Sequence, residues 1–214
     1  EFHFLYDGNK ANTDTMMISA YSEAYYAKDI PRLAALEEAS RNHFGETSQI
    51  KYLHHASIIH LLRCNLSELP FPHKEFAIIK DYLFHCESWH YYELVLFTNA
   101  LDFFPEDAVD VVYAKAKEKM TEFTRMKRYK NELFSLISNI LVLQLEKNDL
   151  ERSLFYYADL EKTVSASDNK MYEHTMLLFF KELIAIMQQQ EDAQKLTDIM
   201  QTFKLLNMDR IANQ

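Results

Sequence analysis

Residues 131–143 have the sequence Asn-Glu-Leu-Phe-Ser-Leu-Ile-Ser-Asn-Ile-Leu-Val-Leu. The five apolar positions Leu133, Leu136, Ile137, Ile140 and Leu141 follow the pattern i, i+3, i+4, i+7, i+8. This period places apolar side chains along one side of an α-helix, whereas a half-buried strand alternates with a period of two. The stretch therefore predicts a helix whose apolar side packs against neighbouring helices.

The composition of the whole chain is also typical of a helical protein. Its 214 residues include two glycines and four prolines, against about 15 and 11 at average usage. Folds with many strands need numerous turns, which glycine normally fills. Because 48% of the residues are hydrophobic and 26% are charged, the chain can bury a substantial core. These values favour an all-α globular fold.

Residues that start and end helices divide the chain into ten predicted helices. Pro31 fits the first turn of the second helix, Gly45 is a candidate for its C-terminal end, and Ser88 is a candidate cap for the fifth. The ten helices are predicted to start near residues 14, 31, 46, 73, 88, 105, 127, 149, 168 and 191. Helix pairs that recur in this way are typical of repeat proteins. We predict a tetratricopeptide-like α-solenoid of about five hairpins over residues 13–214, preceded by a tail at residues 1–12.

Composition and motifs also argue against several function classes. Two isolated glycines cannot form a phosphate-binding loop, and two cysteines in a chain of this size favour a reducing compartment. No apolar run approaches the roughly 18 residues that a membrane span needs. The net charge of −9 argues against direct contact with DNA. We expect a cytoplasmic chain without a membrane partner, and its start at Glu1 suggests a piece of a longer protein.

Histidines and cysteines are the candidates for a metal site. His60 and Cys64 are four residues apart, as are Cys86 and His90. The segment from Glu87 to His90 resembles half of a carboxylate di-iron signature, but the second Glu-x-x-His copy is missing from the sequence. A buried cysteine and ordinary histidines explain these residues better. Since no catalytic motif is present either, we predict no metal, no cofactor and no enzymatic activity.

A mixed polar stripe beside the apolar one is the candidate binding surface. It contains an asparagine, whose side chain can donate to and accept from the backbone of an extended peptide. A comparable stripe on the fifth predicted helix also contains an asparagine, although either one could instead bond to a neighbouring helix or to its own turn. The predicted peptide-binding residues are Tyr92, Leu96, Asn99, Tyr129, Glu132, Ser135, Asn139 and Val142.

Two segments resemble a known family. Residues 88–104, Ser-Trp-His-Tyr-Tyr-Glu-Leu-Val-Leu-Phe-Thr-Asn-Ala-Leu-Asp-Phe-Phe, resemble the W-x-x-Y-E-x-x-L-F-x-N-x-L segment of the Rgg/GadR/MutR regulators of Gram-positive bacteria. Residues 136–141, Leu-Ile-Ser-Asn-Ile-Leu, resemble the second asparagine-bearing helix of that family. The order of helices agrees over essentially the whole chain.

The resemblance implies a cytoplasmic transcription regulator that senses a short imported peptide pheromone. It implies structural roles for Trp89, Glu93 and Phe97, and contacts of Asn99 and Asn139 with the peptide backbone. Family members carry an N-terminal helix-turn-helix domain of about 60 residues, which is absent from this sequence. Promoter DNA would therefore be a partner only through that missing domain.

The resemblance and the C-terminal sequence both predict a homodimer. A regulator that reads two half-sites needs twofold symmetry. Apolar residues at helical spacing near the C-terminus are the candidate interface: Leu196, Ile199, Met200, Phe203 and Leu206. They could instead pack only on the preceding helix. The competing interpretation of the whole chain is a stand-alone helical-repeat adaptor that binds a protein tail and has no role at DNA.

Overall fold

A computed structural model of the chain describes residues 15–120, 127–164, 171–189 and 194–205. Within these ranges the chain forms ten α-helices and no β-strand, which confirms the all-α prediction. None of the described helices is both long enough and apolar enough to cross a bilayer. The predicted tail at residues 1–12 lies outside the described residues.

Short turns connect most of the helices. Helix α1 covers residues 15–26. The others are α2 (Ile30–Thr47), α3 (Ile50–Leu66), α4 (His73–His85), α5 (Tyr91–Ala100), α6 (Glu106–Met120), α7 (Lys127–Glu146), α8 (Leu150–Val164), α9 (Met171–Met187) and α10 (Gln194–Leu205), with a 3-10 turn at Leu101–Phe103 between α5 and α6.

The end of α2 differs from its prediction. Gly45 was expected to end the helix, but α2 continues through this residue to Thr47. Ser48 adopts the left-handed conformation instead, with φ 54° and ψ 16°, and its N–H donates to the carbonyl oxygen of Phe44 at 2.8 Å. A serine can occupy this conformation at some energetic cost. The prediction for Gly45 was therefore wrong, and α3 begins at Ile50 and not at Glu46.

The start of α5 also differs. Ser88 was the predicted cap, yet the helix begins at Tyr91 and its N-cap is His90. The backbone N–H of His90 donates to Oε2 of Glu93 at 2.9 Å, so a side chain three residues into the helix satisfies a backbone group at its start. Between these residues, Trp89 is fully buried. Glu93, expected to be structural, thus anchors the first turn.

The chain divides into two compact units. Of the described residues, the first unit contains those up to Ser88 together with Phe103–Tyr113, and the second contains Trp89–Asp102 and those from Ala114 onward. In the first unit α2 packs against α3, and α3 against α4. Aliphatic side chains from these helices form its core: Leu33, Ile58, Ile59, Leu61, Ile79 and Leu83.

A buried carboxylate links α2 to α3 in the first unit. The side chain of Glu37 is 8% exposed, and its Oε1 accepts from Nε and Nη2 of Arg41, both at 3.0 Å. Nδ1 of His60 lies 3.0 Å from the same oxygen, and Nη1 of Arg63 lies 3.3 Å from Oε2. Arg41 also pairs with Glu75 of α4 at 3.6 Å. A buried charge needs such partners, and this network supplies them from α2 and α3, with Arg41 also joined to α4.

Two buried imidazoles lie next to each other on α3. His54 is fully buried, and its ring centroid lies 4.4 Å from that of Tyr82. His55 is 5% exposed and lies 6.2 Å from the ring of Tyr21. Burial, with a smaller contribution from His55, lowers the pKa of His54 from 6.5 to about 4, since a low-dielectric interior disfavours the charged form. His54 is therefore neutral at pH 7.

The second unit is organised around α7. This helix packs against α8 and α5 and also touches α9, while α8 packs against α9, and α9 against α10. The indole of Trp89 packs edge-on against Phe97 at 6.0 Å, and both are fully buried, as expected for structural residues. The core of this unit includes Leu94, Leu136, Ile137, Ile140, Leu141, Tyr156, Leu160 and Phe180.

Candidate functional site

Helix α7 is covered on most of its circumference and open on one side. Leu136, Ile137, Ile140 and Leu141 from the predicted apolar stripe are at most 1% exposed, while Leu133 is half-buried. The exposed side chains follow one another at spacings of four, four, three and four residues, which keeps them on one face of the helix. We call this face the open stripe; it consists of Asn131, Ser135, Asn139, Val142 and Glu146.

The open stripe contains most of the residues predicted on α7. Ser135 and Asn139 are exposed, and Val142 is 40% exposed. Glu132 lies at the edge of the stripe and is half-buried. The side chain of Tyr129 lies outside the described part of the chain. The polar and apolar side chains of the stripe are therefore accessible to a ligand that approaches from solvent.

Helix α5 presents a second, narrower face. Tyr92, Val95 and Asn99 are half-buried and follow at spacings of three and four. Leu96, a predicted lining residue, is only 4% exposed, in line with buried Glu93 and Ala100 on the same side of the helix. The assignment of Leu96 to the binding face was wrong, because this side of α5 is covered by the core of the unit. Val95 was missed, although its spacing from Tyr92 and Asn99 was already a helical signal.

The two asparagines lie on adjacent helices but in different environments. Nδ2 of Asn99 donates to the carbonyl oxygen of Val95, one turn earlier on α5, at 2.7 Å. Asn139 is exposed on α7, and its side chain has no hydrogen bond to any residue that the structure describes. Since α5 packs against α7 within the second unit, both asparagines belong to the same compact unit.

Acidic groups accompany the asparagines. Glu132 and Glu146 lie on or beside the open stripe of α7. Asp102 follows α5 in the 3-10 turn, and although much of this residue is exposed, desolvation raises the pKa of its carboxyl group. Among the described residues on the exposed face of α7 there is no lysine or arginine. The described part of this face offers hydrogen bonds and negative charge.

The candidate metal ligands have other surroundings. Nδ1 of His60 is bonded to Glu37, and burial raises the pKa of the nearby Cys64 thiol. In the described ranges no group of three or more histidine, cysteine or acidic side chains is arranged to hold a metal ion. His60 thus takes part in the ion pairs of the first unit, and Cys64 in its packing.

One of the predicted dimer residues on α10 packs against the neighbouring helix. Phe203 is fully buried, with its ring 6.1 Å from that of Phe179 on α9. Leu196, Ile199 and Met200 are half-buried, and Leu206 lies outside the described residues. The prediction that Phe203 lies in an exposed interface was therefore wrong, because this side chain is buried against α9.

Solved structures share this fold at low sequence identity. A putative transcriptional regulator from Listeria monocytogenes is similar over 92% of this chain and 69% of its own, with a TM-score of 0.78 and 17% identity. A cysteine-to-serine variant of the SHP pheromone receptor Rgg2 from Streptococcus dysgalactiae is similar over 93% and 70%, with a TM-score of 0.72 and 20% identity. RopB is similar over 100% and 93%, with a TM-score of 0.71 and 22% identity.

The sequence itself matches a defined family. The profile of the C-terminal domain of the HTH-type transcriptional regulator Rgg matches residues 33–214. This match includes α3 to α10, most of α2, and both asparagine-bearing helices. The resemblance that the two sequence motifs predicted is confirmed, and the family is one of transcription regulators. The chain belongs to the Rgg C-terminal domain family.

Proposed function

We propose that this chain is the ligand-sensing domain of a cytoplasmic transcription regulator, and that it binds a short, extended peptide pheromone through the open stripe of α7 and the face of α5 that holds Tyr92, Val95 and Asn99. The open stripe carries this proposal, because it is the exposed face of a helix whose other sides are covered. The family assignment supports a regulator. The similar Rgg2 of Streptococcus dysgalactiae is described as a pheromone receptor.

The side chains of the open stripe suit a peptide backbone. Asparagine and serine supply donors and acceptors for N–H and C=O groups, and Val142 supplies an apolar contact. From Asn131 to Glu146 the stripe spans 15 residue steps, or about 22 Å at ~1.5 Å per step. An extended peptide rises by ~3.3 Å per residue. A ligand that runs along the stripe is therefore about seven residues long.

The test is peptide binding by Asn139→Ala. The probe is the tightest binder from a synthetic random heptapeptide library, labelled with fluorescein and titrated by fluorescence polarisation. Loss of the Asn139 side chain leaves peptide backbone groups unpaired, which costs ~1–3 kcal/mol, or roughly 5- to 150-fold in affinity. Gln201→Ala, at an exposed position of α10, is the control and leaves affinity unchanged. Thermal unfolding is similar for both variants.

Two outcomes contradict this assignment. If Asn139→Ala unfolds much more easily and binds the peptide as tightly as wild type, Asn139 is a structural residue. If no library peptide binds the folded chain, the open stripe is not a peptide site. The adaptor interpretation predicts binding of a longer protein tail instead.

We also propose a separate helix-turn-helix domain as the DNA-binding part of the regulator. The net charge of −9 opposes contact of this chain with phosphates. The chain alone is therefore expected to leave promoter DNA unshifted in a gel at low salt. Salt-sensitive micromolar binding would contradict this division of roles, and a reading frame without a helix-turn-helix upstream would favour the adaptor.

The proposed regulator is a homodimer. The half-buried residues of α10, Leu196, Ile199 and Met200, retain apolar surface that a second copy can cover. Light scattering at tens of micromolar is expected to give twice the mass of the 25.4 kDa chain. A monomeric mass would restrict the role of α10 to packing on α9.

A further inference from the structure

Helix α8 has one covered side and one exposed face. It packs against α7 and α9, and Ser153, Tyr156 and Leu160 are buried. The residues exposed on the other side follow the pattern i, i+3, i+4, i+7, i+11, which places them on one face. We call this the α8 face; it consists of Glu151, Leu154, Phe155, Ala158 and Lys162. Glu161 is also exposed and lies at the edge of this face.

The centre of the α8 face is apolar. Phe155 is 57% exposed, and no other phenylalanine in the described ranges is as exposed. Its ring packs edge-on against Tyr156 at 5.1 Å, and Leu154 beside it is exposed as well. Because covering apolar surface is favourable in water, a patch of this kind favours contact with another molecule.

Two opposite charges flank this centre symmetrically. Glu151 lies four residues before Phe155, and Lys162 lies four residues after Ala158. Reversing the direction of the helix therefore exchanges the acidic end with the basic end and leaves the apolar centre in place. The helix dipole favours the same signs, which accounts for the two charges but not for the exposed ring between them.

A second, antiparallel copy of the α8 face matches this pattern. A twofold axis that passes between residues 156 and 157 brings Phe155 opposite the partner's Ala158, and Glu151 opposite the partner's Lys162. Each contact then occurs twice, as in any isologous interface. Nζ of Lys162 lies 3.5 Å from Oδ1 of Asp159, and its side chain is mostly exposed, so the ammonium group is accessible to a second carboxylate.

We infer that two copies of this chain associate through their α8 faces in antiparallel orientation, with Phe155 at the centre and a Glu151–Lys162 pair at each end. This inference rests on the proposed homodimer and assigns it an interface on α8. From Glu151 to Lys162 the face spans 11 residue steps, or about 16 Å at ~1.5 Å per step. A contact of this length belongs to the small interfaces, so association is measured at tens of micromolar.

The experiment reverses the two charges one at a time in the full 214-residue chain. Glu151→Lys places two lysines opposite each other in its own homodimer, and Lys162→Glu places two glutamates opposite each other. Each variant is expected to weaken the homodimer roughly 5- to 30-fold in sedimentation equilibrium, because two attractive pairs become repulsive. An equimolar mixture of the two variants is expected to associate as wild type does, since the lysines of one chain then face the glutamates of the other.

Phe155→Ala tests the apolar centre. It is expected to weaken the homodimer at least tenfold, as for an aromatic residue at the middle of an interface. Tyr26→Ala removes an exposed ring from α1 and is the matched control that leaves association unchanged. Circular dichroism and thermal unfolding check the fold of each variant. Lys162→Glu also places a carboxylate near Asp159, so Glu151→Lys and Phe155→Ala decide the test if that variant does not fold.

The outcomes separate this inference from the proposed function. If wild type is a dimer and Glu151→Lys and Phe155→Ala associate as tightly, the interface lies on another surface; the inference is then wrong and the proposed homodimer stands. A mixture that associates no better than either charge variant alone overturns the antiparallel pairing. If wild type is monomeric at tens of micromolar, the proposed homodimer and this inference both fail, while peptide binding by the same chain is decided by its own titration.

Discussion

The buried imidazole of His54 makes the stability of this chain depend on pH. Its pKa is about 4 in the folded chain, against 6.5 as the ordinary value. Between these two values the unfolded chain binds a proton that the folded chain does not. Stability from this group is therefore fully present above pH 6.5 and is lost progressively as the pH falls towards 4.

The size of the effect follows from the pKa difference. A shift from 6.5 to about 4 corresponds to about 3 kcal/mol at 1.36 kcal/mol per unit. Because His54 is almost fully protonated in the unfolded chain at pH 5, about 2 kcal/mol of this stabilisation is lost between pH 7 and pH 5. Other titrating groups add their own dependence, so the contribution of His54 must be isolated with a variant.

His54→Leu removes the titrating group and retains an apolar side chain of similar size. Urea unfolding at pH 7 and at pH 5 gives the free energy of unfolding of each protein. Wild type is expected to lose about 2 kcal/mol more than His54→Leu over this interval. His174→Gln, at an exposed position of α9, is the matched control and follows wild type. If His54→Leu loses as much stability as wild type, His54 does not titrate as the structure requires.

Three further expectations concern stability. Glu37→Gln weakens the ion pairs of a buried carboxylate whose arginine partners are partly exposed, and it should lower the free energy of unfolding in urea by ~2 kcal/mol. Glu23→Gln, in a surface pair whose side chains are 46% and 55% exposed, should lower it by less than about 0.5 kcal/mol. Equal losses would contradict this ranking. Gly45→Ala should raise stability by up to ~1 kcal/mol, because Gly45 is helical and nothing lies within 4 Å of an added Cβ; a lower melting temperature would refute this. Leu96→Ala truncates a core side chain and should lower the free energy of unfolding by ~2–5 kcal/mol. Val142→Ala should change it by less than about 0.5 kcal/mol and alter which apolar peptide residues are preferred. Similar thermal unfolding of the two variants would show that Leu96 is not a core residue.

Local sequence determined the secondary structure and much of the candidate site. The stretch from residue 131 to 143 predicted the apolar side of α7, of which Leu136, Ile137, Ile140 and Leu141 are buried. It also predicted the mixed stripe next to it, of which Ser135, Asn139 and Val142 are exposed. A helix period depends only on spacing along the chain, so it can be read without knowing the neighbours. Composition is also independent of the neighbours, and the scarcity of glycine and proline was sufficient to predict an all-α fold.

Tertiary packing decided which faces are covered. Leu96 and Val95 are adjacent in sequence, and only the packing of α5 against its neighbours buries the first and leaves the second half-exposed. Likewise, the sequence allows the apolar side of α10 to pack against α9 or against a second chain. In the structure Phe203 is buried against Phe179 of α9. The hydrogen bond of the Asn99 side chain to its own helix is local in sequence, yet the sequence alone does not determine it, because an asparagine side chain can turn towards its own helix or away from it. Burial is set by contacts between residues far apart in the chain, and one sequence does not specify which of several compatible surfaces meets which.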